Sequence, residues 1–168
     1  MSATGLEGAR VSLPSDREVD VTRRFRAPRH LVYAAYTEPR LVQRWLLGPP
    51  GWTMPVCEMD VRVGGKYRWR WRSVGGGEEF GFHGEFLEVS PPARLVHVEY
   101  YDPGDLGDGM GDGAVITVTF EEKDGVTTLT SRMAFKSREA RDAALSTGMT
   151  DGMEQSYQRL DALFAEPA

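Results

Sequence analysis

Three side chains able to move protons stand at alternate positions of one short segment: His97, Glu99 and Tyr101. Alternate residues of an extended chain share one side, so a strand here presents all three together. The turn Ser90-Pro91-Pro92-Ala93 sets the pairing of the hairpin around it. If Val89 faces Arg94, then Phe86 faces His97, Gly84 faces Glu99 and Phe82 faces Tyr101. With that face turned inward, Glu99 is a carboxyl among aromatic rings, and desolvation raises its pKa. The other arrangement turns Leu87, Val89, Val96 and Val98 inward and leaves Glu99 in water. The first is the expectation taken forward, because its aromatic side chains match the apolar lining of ligand pockets. The chemistry open to it is proton transfer by Glu99, His97 or Tyr101, as in an enzyme of the cyclase or hydrolase type.

A second set of residues suits binding. In Lys66-Tyr67-Arg68-Trp69-Arg70-Trp71-Arg72 the aromatics alternate without fault with cations. Tyr67, Trp69 and Trp71 line either a pocket or the core, since three large rings on one strand face pack solidly only with difficulty. Arg68, Arg70 and Arg72 take the solvated side. Met149, Met153 and Tyr157 recur at helical spacing and close the same space from the other side, where methionine adapts to varied ligands. Trp45 and Met133 complete the candidate lining.

Other chemistries find no support in the residue pattern. No nucleophile–base pair and no cofactor fingerprint occur, so no cofactor is expected. The histidines are His30, His83 and His97, and on the register above His83 and His97 point to opposite faces, so no metal site is expected. The single cysteine, Cys57, lies in a strand with no histidine nearby and reads as a packed residue. Asp102, Asp105, Asp108 and Asp112 lack the alternate spacing of a calcium loop and mark a mobile loop, 102–113, near the pocket mouth.

The elements that must position these residues follow from pattern. The chain has 168 residues, 40% of them hydrophobic, and a net charge of −5, which argues against a nucleic-acid surface. Lack of a signal-like or membrane-length apolar run points to the cytoplasm. Residues 1–16 show no period and read as a mobile tail, with a single domain over 17–168. Val19, Val21 and Phe25 mark a first strand; Pro28 opens a short helix, and Thr37 caps a second one through Trp45. Strands then run near 56–61, 66–72, 80–89, 95–101, 114–121 and 126–135, the last two joined by a hairpin at Lys123-Asp124-Gly125. Ser137 caps a short helix, Gly148 ends it, and a long amphipathic helix follows. The expected fold is α+β: seven antiparallel strands, curved around the C-terminal helix.

That order, one strand, two short helices, six strands and a long helix, is that of the helix-grip fold. Local motifs agree: Arg44-Trp45, Val56-Cys57-Glu58-Met59-Asp60, Arg62-Val63-Gly64-Gly65-Lys66-Tyr67, Pro91-Pro92-Ala93-Arg94-Leu95, Val118-Thr119-Phe120, and Gly148-Met149 with Ser156 to Leu163. Over residues 18–165 the chain resembles the Aha-type branch of the START-like superfamily, bacterial relatives of the C-terminal domain of the heat-shock ATPase activator. The resemblance implies a cavity under the long helix that binds or transforms varied apolar molecules. It also places an aromatic, a Glu and an aromatic where His97, Glu99 and Tyr101 stand. The activator's N-terminal domain has no counterpart in this sequence, so a co-chaperone role ranks third and a chaperone partner is not expected. Binding of a small apolar or aromatic molecule leads and an enzyme follows. Neither nucleic acid nor membrane is an expected partner; a homodimer is admitted.

Overall fold

The computed structural model describes residues 6–102 and 113–166. Strands β1 (Arg10–Ser15) and β2 (Glu18–Phe25) are followed by helices α1 (Arg29–Thr37) and α2 (Pro39–Trp45). Strands β3 (Trp52–Met59), β4 (Lys66–Ser73), β5 (Glu79–Ser90), β6 (Arg94–Asp102), β7 (Ala114–Lys123) and β8 (Val126–Ala134) come next, then α3 (Arg138–Ser146) and α4 (Met149–Phe164). All eight strands join one antiparallel sheet in the order β1-β2-β8-β7-β6-β5-β4-β3. The helix-grip architecture expected from pattern is present, with eight strands where seven were expected.

The extra strand lies in the segment read as a mobile tail. β1 pairs with β2 through Arg10–Thr22, Val11–Val21 and Ser12–Asp20, yet all six of its side chains are exposed. It is held by main-chain bonds and buries no face; its alternation is limited to Val11 and Leu13, both exposed, too short a pattern to mark a strand. Residues 1–5 of that expected tail, and 103–112 of the expected mobile loop, lie outside the described residues.

One continuous row fixes the inner face: Val19, Met133, Ile116, His97 and Phe86 stand opposite one another across five strands. Val21, Ser131, Val118, Leu95 and Val89 form the next row. The first three of each row are buried or nearly so beneath the helices, and the main core gathers there with Phe25, Phe120, Leu129, Tyr157 and Leu160. α4 begins where Gly148 takes φ 80°, a left-handed conformation that glycine adopts without a Cβ penalty. An ion-pair clamp seats α4 on the sheet. Arg23 on β2, 4% exposed, donates to both oxygens of Glu154 at 3.1 Å and of Asp161 at 2.8 Å. Glu154 also accepts from the Ala9 backbone N–H at 2.8 Å. Burial alone would push the Glu154 carboxyl up, but these hydrogen bonds outweigh it and hold the group below its usual range.

The hairpin that carries the candidate site departs from the expected register at its turn. Ser90 pairs with Arg94 and Val89 with Leu95, one residue off the expected Val89–Arg94 pairing. A bulge at Leu87 then restores Phe86–His97, Gly84–Glu99 and Phe82–Tyr101, as expected. Because the bulge inserts one residue, Val89 and Phe86 both face inward while Leu87 turns out to solvent. Of two expected helix caps, one changes. Thr37 does not cap α2; its hydroxyl donates to the Tyr33 carbonyl at 3.0 Å within α1. Ser137 does cap α3, accepting from the Ala140 N–H at 3.1 Å.

Candidate ligand site

β4 places Tyr67, Trp69 and Trp71 on the inner face, paired with Gly84, Phe82 and Phe80 of β5. β6 continues those rows with Glu99 beside Gly84 and Tyr101 beside Phe82. The result is a sheet of rings in contact: Tyr67–Trp69 at 4.6 Å, Tyr67–Phe86 at 5.2 Å, Trp69–Trp71 at 6.3 Å and Phe82–Tyr101 at 5.3 Å between centroids. Two residues that sequence reasoning missed extend it. Phe80 stacks on Trp71 at 5.2 Å, and Trp52 meets Phe80 edge-on at 5.1 Å. Phe80 was legible, since it alternates with Phe82 along β5.

The expected lining divides between two packing centres. Tyr67, Phe86, Met133, Trp45 and Tyr157 are buried in the main core, against which Met149 and Met153 of α4 also pack. Trp71 belongs to a smaller cluster with Val42 and Met54, joined by Phe80 and Phe82, and α2 supplies its cover. Trp69 touches both clusters. Trp45 stacks on Tyr157 at 6.2 Å, with the Tyr36 and Tyr157 hydroxyls 3.5 Å apart.

Indole nitrogens separate framework from candidate contact. Trp45 donates to the Ala35 carbonyl at 2.8 Å, and Trp71 to the Leu46 carbonyl at 2.7 Å. Each is anchored to a helix. The Trp69 indole N–H is buried with no partner among the described residues. A buried donor without an acceptor is destabilising by about 1–3 kcal/mol, so a partner supplied from outside would be favoured there.

The Tyr67 hydroxyl organises the polar end. It lies 2.8 Å from His97 Nδ1 and 2.9 Å from the Val98 carbonyl. A hydroxyl has one proton and the carbonyl can only accept, so Tyr67 donates to Val98 and accepts from a protonated Nδ1. His97 is thereby the Nδ1–H tautomer, leaving Nε2 as a bare acceptor. Burial pushes the ring's pKa down to about 4, so it is neutral. Gly84 makes this arrangement possible: a Cβ there would stand 1.8 Å from the Val98 carbonyl oxygen and 2.7 Å from the Tyr67 hydroxyl.

Glu99 occupies the same row, flanked by Gly84 and Ala114. It is enclosed by protein, and that burial raises its carboxyl to about 7. It nonetheless keeps an intermediate share of accessible surface. Its neighbours across the strands, Gly84 and Ala114, are the two smallest residue types. No hydrogen bond or ion pair to this carboxylate is formed among the described residues.

The remaining candidates take other places. His83 lies on the outer face, stacked on Tyr100 at 5.5 Å. Arg68 and Arg72 are exposed as expected, but Arg70 is not solvated: only 13% of its side chain is exposed, and it donates to Glu79 and Asp102, each at 2.7 Å. Burial raises the Cys57 thiol to about 11, which leaves it a packed, unreactive group. Two clefts open at the surface. One, about 170 Å³, runs beside Gly8, Arg10, Thr22 and Arg23, next to the clamp on α4, and one, about 550 Å³, is an open groove along Glu58, Lys66, Tyr67, Arg68, His83 and Gly84.

An open antiparallel sheet wrapped on one long helix, with an aromatic inner face carrying few polar groups, defines a START-like helix-grip domain. The sequence profile described as "Activator of Hsp90 ATPase homolog 1-like protein" matches residues 26–165, and the chain belongs to that family. Solved structures agree in fold. A Rhodobacter sphaeroides protein is 29% identical with a TM-score of 0.82, covering 94% of this chain and 97% of its own. An Arthrobacter aurescens protein is 25% identical at 0.80, covering 95% and 92%. Protein Ms6760 of Mycobacterium smegmatis, 23% identical at 0.82 and covering 97% and 99%, shares the fold. No curated protein matches the sequence. Among the described residues no helix is long and apolar enough to cross a membrane.

Proposed function

We propose that this protein binds a small, largely aromatic or apolar molecule between the inner sheet face and α4. The carrying observation is the Trp69 indole N–H, buried with no partner among the described residues, whereas the N–H groups of Trp45 and Trp71 are satisfied by backbone. An aromatic wall with an unpaired donor, a bare histidine nitrogen and an enclosed carboxyl matches the make-up of small-molecule sites: apolar area for affinity, a few polar groups for orientation. Tyr67, Trp69, Phe82, Phe86 and Tyr101 supply the rings, with Met149, Met153 and Tyr157 opposite. Binding ranks above catalysis because Glu99 and His97 have no nucleophile to serve.

The test begins with native mass spectrometry of protein purified from its own organism, to find a retained small molecule. Apolar dyes are then titrated against the wild type, Trp69→Phe and Arg68→Ala. Trp69→Phe keeps an aromatic ring but removes the donor, and Arg68 sits on the opposite face. Binding weakened by Trp69→Phe and untouched by Arg68→Ala supports the site. Equal effects, or no binding to the wild type, reject it.

A further inference from the structure

Several buried and half-buried charges among the described residues have counter-charges. Arg23 is gripped by Glu154 and Asp161, Arg70 by Glu79 and Asp102, and Arg141 by Asp142 and the Ser15 carbonyl. Among the half-buried carboxylates of the described residues Glu99 is the exception: an enclosed carboxyl with no hydrogen-bond or ion-pair partner. The nearest basic group cannot serve it. His97 spends its Nδ1 proton on Tyr67 and is held neutral. The Tyr67 hydroxyl cannot serve it either, since its proton goes to the Val98 carbonyl.

The surroundings select what would. In its own row Glu99 stands between Gly84, whose face is covered by the Tyr67 ring and hydroxyl, and Ala114, a small side chain on the other side. The next row along is Trp69, Phe82 and Tyr101, three ring systems on the same face. A carboxylate bordered by aromatic rings attracts a cation twice, through its charge and through the negative faces of the rings. The same enclosure repels an anion, because two like charges would then share a desolvated space. We infer that the molecule bound here carries a protonated amine, with Glu99 as its counter-charge and Trp69, Phe82 and Tyr101 around its cationic end. Farther along the ligand, an acceptor atom would meet the Trp69 N–H. The inference rests on the binding role proposed above and narrows it to one chemical class.

Four naphthalene compounds of one skeleton test it: 2-(1-naphthyl)ethylamine, 2-(1-naphthyl)ethanol, 1-naphthylacetate and 1-ethylnaphthalene. Affinities are measured by calorimetry on the wild type, Glu99→Gln and Glu99→Leu, with melting temperatures to confirm folding. The amine should bind the wild type about tenfold more tightly than the hydrocarbon, and the carboxylate most weakly. In both variants the amine should lose that advantage while the hydrocarbon keeps its affinity within about twofold. Amine affinity in the wild type should also rise about tenfold from pH 6 to pH 8, as Glu99, with its pKa near 7, ionises. His97, held near 4, and Tyr67, pushed far up by burial, do not titrate in that interval. Hydrocarbon binding without an amine preference, or a preference that survives in both variants, overturns the amine assignment alone. Failure of all four compounds to bind the wild type overturns the binding role as well.

Discussion

Replacing Glu99 by glutamine should separate two titrations that oppose each other in the wild type. Burial raises the Glu99 carboxyl from 4.5 to about 7, so the folded protein holds this proton more tightly than the unfolded chain. The stability this provides is complete below pH 4.5 and is lost as pH climbs to about 7. The loss amounts to about 1.4 kcal/mol per pH unit, or roughly 3 kcal/mol in all. Burial lowers His97 from 6.5 to about 4, which has the opposite sign. The folded state refuses a proton the unfolded chain accepts, so stability is gained as pH rises from about 4 to 6.5, again by roughly 3 kcal/mol. From pH 4.5 to 6.5 the two slopes nearly cancel. Glu99→Gln removes one of them. The variant should then gain roughly 3 kcal/mol between pH 4.5 and 6.5 and level off, while the wild type stays flat and then declines slightly. Urea unfolding followed by tryptophan fluorescence from pH 4.5 to 8 measures this. The informative quantity is the variant-minus-wild-type difference, which is insensitive to groups common to both. A constant difference across that range would refute an enclosed, proton-holding Glu99.

Tyr67→Phe leaves the Val98 carbonyl and His97 Nδ1 without their partner and should be destabilising by roughly 1–3 kcal/mol for each orphaned group, read by chemical denaturation. In the wild type, long-range nitrogen–proton NMR should show the His97 proton on Nδ1; an Nε2–H signal would contradict the hydrogen-bond order assigned here. Gly84→Ala drives a Cβ into the Val98 carbonyl, so a variant that folds with unchanged stability would show that the β5–β6 backbone can move apart there. Arg23→Met leaves Glu154 and Asp161 without their cation and should be destabilising by about 3–5 kcal/mol, with amide exchange accelerating first in α4. Ser137→Ala should be destabilising by about 1 kcal/mol through the lost α3 cap, as measured by thermal melting.

Much of the architecture was legible because it depends on local periodicity. Alternation in residues 66–72, the Ser137 cap, the glycine at 148 and the helical spacing from Met149 to Phe164 are each written in a few neighbouring positions. β1 was illegible for the complementary reason: with only Val11 and Leu13 alternating, and neither buried, its pattern is too short to read as a strand. The face of β6 could not be decided from β6 alone, because Leu95, Val96, Val98 and Tyr101 make both of its sides partly apolar. The cross-hairpin register grouped His97, Glu99 and Tyr101 with Phe86, Gly84 and Phe82, and the aromatic make-up of that group selected the face, although the turn is one residue out and the bulge at Leu87 corrects it. A bulge leaves no residue signature there, since Leu87 is an ordinary strand former.

The sequence by itself determined the family, the element order and the alternating aromatic wall, since each follows from residue type and spacing along one segment. Only the tertiary structure decided which polar groups are spent and which remain free. Arg23 and Arg70 looked like ordinary charges on strands and prove to be paired from elements far off in the chain. Trp45, Trp69 and Trp71 were equivalent on paper; the helix carbonyls that reach two of them and not the third belong to α1 and the end of α2. Hydrogen-bond satisfaction depends on where distant backbone groups come to lie, and no local pattern encodes that.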